Sequence, residues 1–446
     1  MKQKILTLLF LAFIPIAMMA YDYEVDGIFY NLNNNAKTAE VTYESSTSYP
    51  YSGEVVIPSS ILYNGITYSV TRIGSFAFED CTGLTAITIP SGVKIIGDHA
   101  FYECSGLTSI NIPSGVTSIG EYAFYDCSSL TDIVIPNSMT FIGESAFCRC
   151  SSLTSINIPN SVTRIESWTF NNTGLTEIEI PNSVTSIGSY ALYDCPDLTS
   201  VTIHSNLTRI NEATFGWCPN LTTINIPNGV TSIGTQAFEN CSSLPAITIP
   251  SSVTSIGERA FALCGSLEYF TVENPTPITI PSNVFENSVT NTLYVPYGTV
   301  PAYTAAEVWK GFNSILVNLD QPITFADNAV KTLCVDNWDT SHDGELSIAE
   351  AAAVTDLGTV FEDHSEITSF AELRYFAGLT SIGNLAFYYC SKLTTIEIPY
   401  TVTSIGDIAF FNCTSLTALT IHKNVTSIGR NAFSICNGLT AITVDP

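Results

Sequence analysis

The chain has 446 residues and a formal net charge of −26; 46% of its residues are hydrophobic and only 13% are charged. This acidic balance argues against nucleic acid or an anionic membrane as partner, since both call for a basic surface. The length would ordinarily mean two or three domains, but a repeat array escapes that expectation because it grows without enlarging one core.

Residues 1–20 read as an export signal: Lys2 and Lys4 precede the apolar run 5–19, and Ala20 is the expected last residue removed. That run is short for a membrane span, and no other stretch is long enough to be one. Residues 21–67 are expected to form an N-terminal β cap. It opens with a hairpin turning at Asp26-Gly27, followed by strands near 39–43, 54–57 and 66–70.

A repeat then takes over. Cys81, Cys104, Cys127 and Cys150 stand 23 residues apart; Cys195, Cys218, Cys241 and Cys264 keep the step, as do Cys390, Cys413 and Cys436. Between Cys150 and Cys195 the spacing is one residue short of two units, because Thr173 holds the Cys place and one residue is missing after it. The unit reads C-x-x-L-T-x-I-x-I-P-x-x-V-T-x-I-G-x-x-A-F-x-x. In one copy Leu107, Ile110 and Ile112 point inward, with the alternation of a half-buried strand, and Pro113 ends it. Residues 116–120 read as a second short strand, its final Gly expected to supply positive φ. Residues 121–126 are expected to make one helical or 3₁₀ turn that carries Ala123 and Phe124 into the core. Nine first strands are expected between Leu84 and Val272 and three more between Leu393 and Val444.

This motif resembles the BspA-like subclass of bacterial leucine-rich repeats, over roughly 300 residues and about a dozen in-phase copies. Glu166 and Asn211 depart from it at the Gly, Thr214 at the Ala, and His204 and His422 at the Pro. The expected fold is an α/β, β-rich leucine-rich-repeat solenoid: a right-handed superhelix of short strands and single helical turns, in two arrays joined by an EF-hand-like segment. The first array is assigned to 68–290, its C-terminal cap to 291–320 with Trp309 and Phe312 as plugs, the EF-hand-like linker to 321–362, and the second array to 363–446. The second array ends on a strand at 441–444 with no cap. That edge is expected either to pair with another molecule or to reflect a reading frame shorter than its ancestor's. The resemblance implies a secreted or cell-surface protein that binds host matrix proteins, serum proteins or other bacteria.

Between the arrays, residues 339–350 fit the register of a calcium loop. Asp339, Ser341 and Asp343 hold positions 1, 3 and 5, Gly344 the sharp turn at 6, Leu346 the hydrophobe at 8 and Glu350 the bidentate position 12. Glu345 would offer its backbone carbonyl, and Ser347 would act directly or through water. The segment resembles EF-hand and dockerin-type loops, and one structural Ca²⁺ is expected to stiffen a hinge and fix the angle between the arrays.

Thirteen cysteines in an exported chain suggest disulfides. Equivalent positions in stacked units, however, give parallel Cβ vectors that do not converge. A ladder of small buried thiols is expected instead, with Cys148 and Cys334 outside it and open to reaction. No nucleophile elbow, metal-binding H-E-x-x-H or phosphate-cradling glycine loop is present, so the protein is expected not to be an enzyme. A binding module is the leading expectation. Its partners are extracellular proteins, reached through first-strand residues that include Thr108, Asn111, Asp132, Asn157, Glu177, Glu179 and Asn225. The alternative is a carbohydrate-binding or envelope-spacer protein with Tyr102, Tyr125 and Tyr193 along a ridge.

Overall fold

The computed structural model describes residues 21–44, 51–204 and 206–445; the expected export signal lies outside the described residues. The described residues divide into two compact units, one within 21–295 and 299–316 and the other within 296–298 and 317–445.

In the first unit most turns of the solenoid lay down two short strands. The first-strand ladder runs in parallel through Gly53–Val56, Leu84–Thr88, Ser109–Asn111 and Asp132–Val134. It resumes at Glu177–Ile180, Ser200–Ile203 and Thr223–Ile224. The second-strand ladder is built from two-residue pieces such as Ile95–Ile96, Ser118–Ile119 and Phe141–Ile142, again parallel. Partners are 23 residues apart, and 22 apart where the shortened unit passes, as at Arg164 and Ser186. One missing residue therefore shifts the spacing without ending the stack.

The third side of each turn departs from the expected helical turn. Residues 121–126 fold as successive tight turns in which Tyr122 and Asp126 have φ of 55° and 54°, and the pair recurs at Phe76 and Asp80 and at His99 and Glu103. A left-handed backbone costs an ordinary residue about 1–2 kcal/mol. What offsets it is a ladder no helix could make: Phe76, Phe78 and Asp80 donate their N–H groups to the carbonyls of Asp98, Ala100 and Tyr102 in the next turn, at 3.0, 2.8 and 2.8 Å. Ala77, Glu79 and Cys81 donate back within their own turn. Half the amides thus bind the neighbour and half close the turn, so the buried backbone is satisfied.

The glycine of the repeat is also explained differently from the sequence expectation. Gly97, Gly120 and Gly143 do not have positive φ. A Cβ on Gly120 would lie 2.3 Å from Asp98 Oδ1 and 2.5 Å from Asp98 N, and one on Gly143 would lie 2.6 Å from Glu121 N. The residue is small because the preceding turn touches it.

Inside, Phe78, Phe101, Phe124, Phe147 and Phe170 are fully buried and stack ring on ring at 5.1 to 5.9 Å. All thirteen cysteines are free and buried. Cys104, Cys127 and Cys150 donate Sγ–H to the carbonyls of Phe78, Phe101 and Phe124 at 3.0 to 3.1 Å, each 26 residues back. Thr173 takes the Cys place but not its bond: its Oγ1 donates to the Phe170 carbonyl of its own turn, three residues back, at 2.9 Å. At the end of this unit, helix α1 (Val300–Ala305) and the turn after it seal the core. Buried Tyr303 donates its hydroxyl to the Asn274 carbonyl and Trp309 its indole N–H to the Ile278 carbonyl, at 2.9 and 2.8 Å.

The second unit begins with helices α2 (Asn328–Trp338) and α3 (Ile348–Ala353). Val330, Cys334, Leu346, Ile348 and Ala351 share one buried core with Phe361, Phe370, Phe387 and Phe410 of the following repeats. The segment expected to be a hinge is therefore built into the second array as the cover of its first turn. The final strand, Ala441–Asp445, pairs with Ala418–His422, and Ile428, Ile442 and Val444 stay 51, 47 and 64% exposed.

Candidate functional site

Outward side chains of the first strands are the accessible chemistry of the first unit. Thr108, Asn111, Asp132, Asn157, Glu177 and Glu179 are all exposed. Asn225 is exposed too, but its amide is committed to the fold: Oδ1 accepts from the Ile203 N–H at 2.8 Å and Nδ2 donates to the Ile203 carbonyl at 2.9 Å. It prolongs the sheet with its side chain, which removes it from the partner-binding set.

Four of the expected residues come together. Asp132, Asn157, Glu177 and Glu179, with Val134 and Ser155, line a recess of about 370 Å³. It lies where the first-strand ladder is interrupted: no strand is formed at 154–158, and Thr176 reaches back to the Thr154 carbonyl across 22 residues instead of 23. Val134 is 63% exposed there, so the recess pairs carboxylates with an apolar patch. Thr108 and Asn111 belong to the uninterrupted sheet and do not line it.

The loop 339–350 is a second site. Gly344 adopts φ +85°, the sharp turn its position requires. Asp339 Oδ1 accepts from Ser341 Oγ and the His342 N–H, and Oδ2 from the Gly344 N–H at 2.9 Å. Glu350 turns back into the loop. Its Oε1 accepts from Thr340 N, Thr340 Oγ1 and Ser341 N, and its Oε2 from the Ser347 N–H and hydroxyl, all at 2.9 to 3.0 Å. Burial opposes ionisation of Glu350, but the hydrogen bonds from Ser347, Ser341 and Thr340 outweigh it and hold the carboxyl at about 2. Asp339 is lowered by the same balance, with Gly344, His342 and Ser341 as donors. Asp343 accepts from its own turn at Glu345 N, and the Glu345 carboxylate pairs with Lys331 Nζ at 2.7 Å. Among the described residues no three His, Cys, Asp or Glu side chains are gathered as a metal cluster. The donor set is right for a hard cation: two carboxylates ionised at neutral pH, hydroxyl oxygens, and a glycine that permits the turn.

Aromatic rings line the turn side of the first unit, a feature the repeat consensus conceals. Phe76, His99 and Tyr122 stack at 4.8 and 4.9 Å, and Trp168 and Tyr190 at 4.3 Å. Tyr102 and Tyr125 stack face to face at 4.9 Å, with the Arg149 guanidinium 5.9 Å over Tyr125. Tyr193 meets Trp168 and Tyr190 edge-on. Tyr125 thus packs against both Tyr102 and Arg149, and Tyr193 against Trp168 and Tyr190, so the rings of the expected ridge are engaged with their neighbours.

Cys148 and Cys334, expected to be reactive, are buried. Burial pushes the Cys148 thiol up to about 12, Asp126 adding to the rise and Arg149 opposing it, and it pushes the Cys334 thiol up as well. The nucleophilic thiolate is suppressed at both.

The repeat geometry matches a known pattern along most of the chain. The model of the BspA type leucine rich repeat region matches residues 60–174, 169–292 and 360–446. The chain belongs to this family. No curated protein matches it. Among solved structures, a leucine-rich repeat protein from Bacteroides ovatus is 23% identical over 95% of this chain and 94% of its own, with a TM-score of 0.45. A leucine rich cell surface protein from Faecalibacterium prausnitzii is 24% identical over 95% and 94%, with a TM-score of 0.43. The pneumococcal vaccine antigen PcpA is 19% identical over 66% of this chain and 98% of its own, with a TM-score of 0.35. Among the described residues, no helix of this BspA-type chain is long and apolar enough to cross a membrane.

Proposed function

We propose that this BspA-type protein is an exported, surface-associated bacterial adhesin without catalytic activity, and that it engages a protein partner through the recess at the break in the first-strand ladder. The observation that carries this reading is the convergence of Asp132, Glu177 and Glu179 beside exposed Val134 in one recess. Carboxylates around an apolar centre suit a partner that presents Lys or Arg next to an aliphatic or aromatic side chain. The export signal expected at residues 1–20 supports the location.

The test is binding of the mature protein to immobilised extracellular matrix proteins, with a variant carrying Asp132→Asn, Glu177→Gln and Glu179→Gln. The expected result is at least a tenfold loss of affinity, because rim and recess charges set both attraction and its salt dependence. A variant that binds as well as the parent at low and high salt would sink the reading.

We propose in addition that loop 339–350 holds one Ca²⁺ as a structural ion. Asp339, Ser341, Asp343 and Glu350 would supply side-chain oxygens and Glu345 its carbonyl. Because this segment shares the core of the second array, the ion would stiffen that array's cover. Calorimetric titration of the full chain with calcium should give one saturable site that Asp339→Ala abolishes; heat that is identical in the variant would remove the ion.

A further inference from the structure

A second recess, of about 550 Å³, lies on the first-strand side of the second array. Its floor is formed by the ends of the strands around Ile396 and Ile398, both buried. One wall is an ion pair: Arg374 Nη1 donates to Glu397 Oε2 at 3.1 Å, and Arg374 is further held by the Ala371 carbonyl, by the Tyr375 hydroxyl and by the Tyr375 ring 4.8 Å from its Cζ. The other wall is a pair of rings: Tyr400 lies parallel to the His422 imidazole with centroids 3.6 Å apart. His422 Nε2 donates to the Ile398 carbonyl at 2.7 Å, which fixes the imidazole in plane. Tyr400 is nevertheless 61% exposed.

Both rings are departures from the repeat. The residue after the strand-ending Pro is Ser or Asn throughout the first array, as at Ser91, Ser114, Asn137 and Asn182. In the second array it becomes Tyr400, and one turn later His422 replaces the Pro itself. The first array also has a His in the Pro column, His204, but Asn182 stands where the Tyr would be. The ring pair is thus confined to one place, and that place adjoins the fixed ion pair.

We propose that this recess is a binding subsite for a neutral saccharide residue, which stacks its C–H face on Tyr400 and gives its hydroxyls to Glu397 and Arg374. A flat ring propped by a second ring offers a rigid apolar platform at little entropic cost. The pinned carboxylate and guanidinium offer acceptors and donors side by side, as adjacent hydroxyls require. The pair is charge-balanced, so the site does not favour an anion, and its size falls in the range of small-ligand sites, about 300–1,000 Å³. This contrasts with the turn-side rings of the first array, whose faces are spent on one another. The site is separate from the proposed protein-binding recess, and either can fail without the other.

The experiment is calorimetric titration of the full mature chain with neutral cello-, xylo-, manno- and chito-oligosaccharides, with a sialylated oligosaccharide as the charged control. One neutral series should bind. Tyr400→Ala should lower its affinity about tenfold, Glu397→Gln should lower it comparably, and Tyr400→Trp should retain it. The triple variant at Asp132, Glu177 and Glu179 should bind the sugar as the parent does. Thermal melting of each variant checks the fold, which the exposed Tyr400 is not expected to support. Binding by none of the neutral series, equal binding by Tyr400→Ala, or binding of the sialylated sugar alone would overturn the proposal.

Discussion

The two arrays repeat the same unit but cover their first turn in different ways, and one glycine column measures the difference. Gly74 opens the first array. A Cβ there would lie 2.7 Å from the Val41 carbonyl and 2.6 Å from Glu40 Oε1. The cap strand Thr38–Thr42 pairs in parallel with Ile66–Ile73, so it approaches as closely as a true repeat would. Gly383 holds the same place at the start of the second array. There the nearest atom is Asp356 Oδ1 at 3.6 Å, because the segment after α3 reaches this glycine with a side chain, whereas the backbone of the same cover comes close at Gly378, where a Cβ would lie 2.6 Å from the Val354 carbonyl. The glycine is demanded by a neighbouring turn and by nothing in its own backbone.

That account is open to breakage at several points, beginning with the interior of the column. Gly120→Ala should cost about 3 kcal/mol, as overpacking does when the obstruction is backbone, and should raise hydrogen exchange in the turns on both sides. A cost near zero would mean the turns can part without penalty.

Asp327 ties the helical cover to the repeats. The residue is 9% exposed, and its carboxylate accepts from the Ala329 and Val330 N–H groups at the start of α2 and from Thr368 N and Oγ1, the last two at 2.7 Å. Asp327→Ala removes a helix cap worth about 1 kcal/mol and leaves the Thr368 N–H without its acceptor, for about 2 kcal/mol in all. The loss should be confined to the second unit, as hydrogen exchange resolved along the chain will show. A uniform loss across both units would contradict separate covers.

Acid should act on the same unit. Burial raises the Asp327 carboxyl, but the bonds from Thr368, Ala329 and Val330 prevail and hold it below its ordinary value; Glu350 is held at about 2 from 4.5. Groups whose folded values are depressed stabilise fully above their unfolded values and lose that contribution as pH falls toward the folded ones. Protection of the amides in 327–354, relative to their intrinsic exchange rates, should therefore fall between about pH 4.5 and 2, ahead of the repeats of the first array. Glu350→Gln should flatten that window, and simultaneous opening of both units would refute the assignment.

The cysteine ladder should matter less. Cys127→Ala leaves the Phe101 carbonyl without its weak Sγ–H donor and opens a small void, for about 1 kcal/mol. Native protein should also leave Cys148 and Cys334 unmodified by a thiol reagent over hours at pH 8, since both are buried; rapid labelling of either would count against the packing described.

The reach of sequence reasoning follows from what repetition reveals. Leu107, Ile110, Ile112, Phe124 and Cys127 recur at a fixed step, so their inward placement was readable, as was the missing residue after Thr173. The left-handed pairs were not readable. Tyr122, Asp126, His99 and Glu103 share no residue type, and the ladder that stabilises them exists only between turns. The reason for the glycine is hidden in the same way: at Gly120 the obstructing atoms belong to Asp98, a turn away. Of the first-strand residues, Asp132, Asn157, Glu177 and Glu179 looked no different from Thr108 or Asn225, and only the interrupted ladder sets them apart. His422 is legible as a departure from the unit, but its contact with Tyr400 is not.

The smallest effect is the most discriminating. Gly383→Ala places a Cβ in ordinary van der Waals contact with Asp356 Oδ1, at a residue without positive φ. Alanine restricts the unfolded chain more than glycine does, so a compatible site gains about 0.4–1 kcal/mol. The same change at Gly74 meets the Val41 carbonyl and should destabilise by more than that. One substitution at two equivalent positions therefore carries opposite signs, decided only by whether the cover continues the backbone ladder. Equal destabilisation at both would show that the cover of the second array approaches Gly383 as closely as a repeat, and the distinction between the two caps would fall.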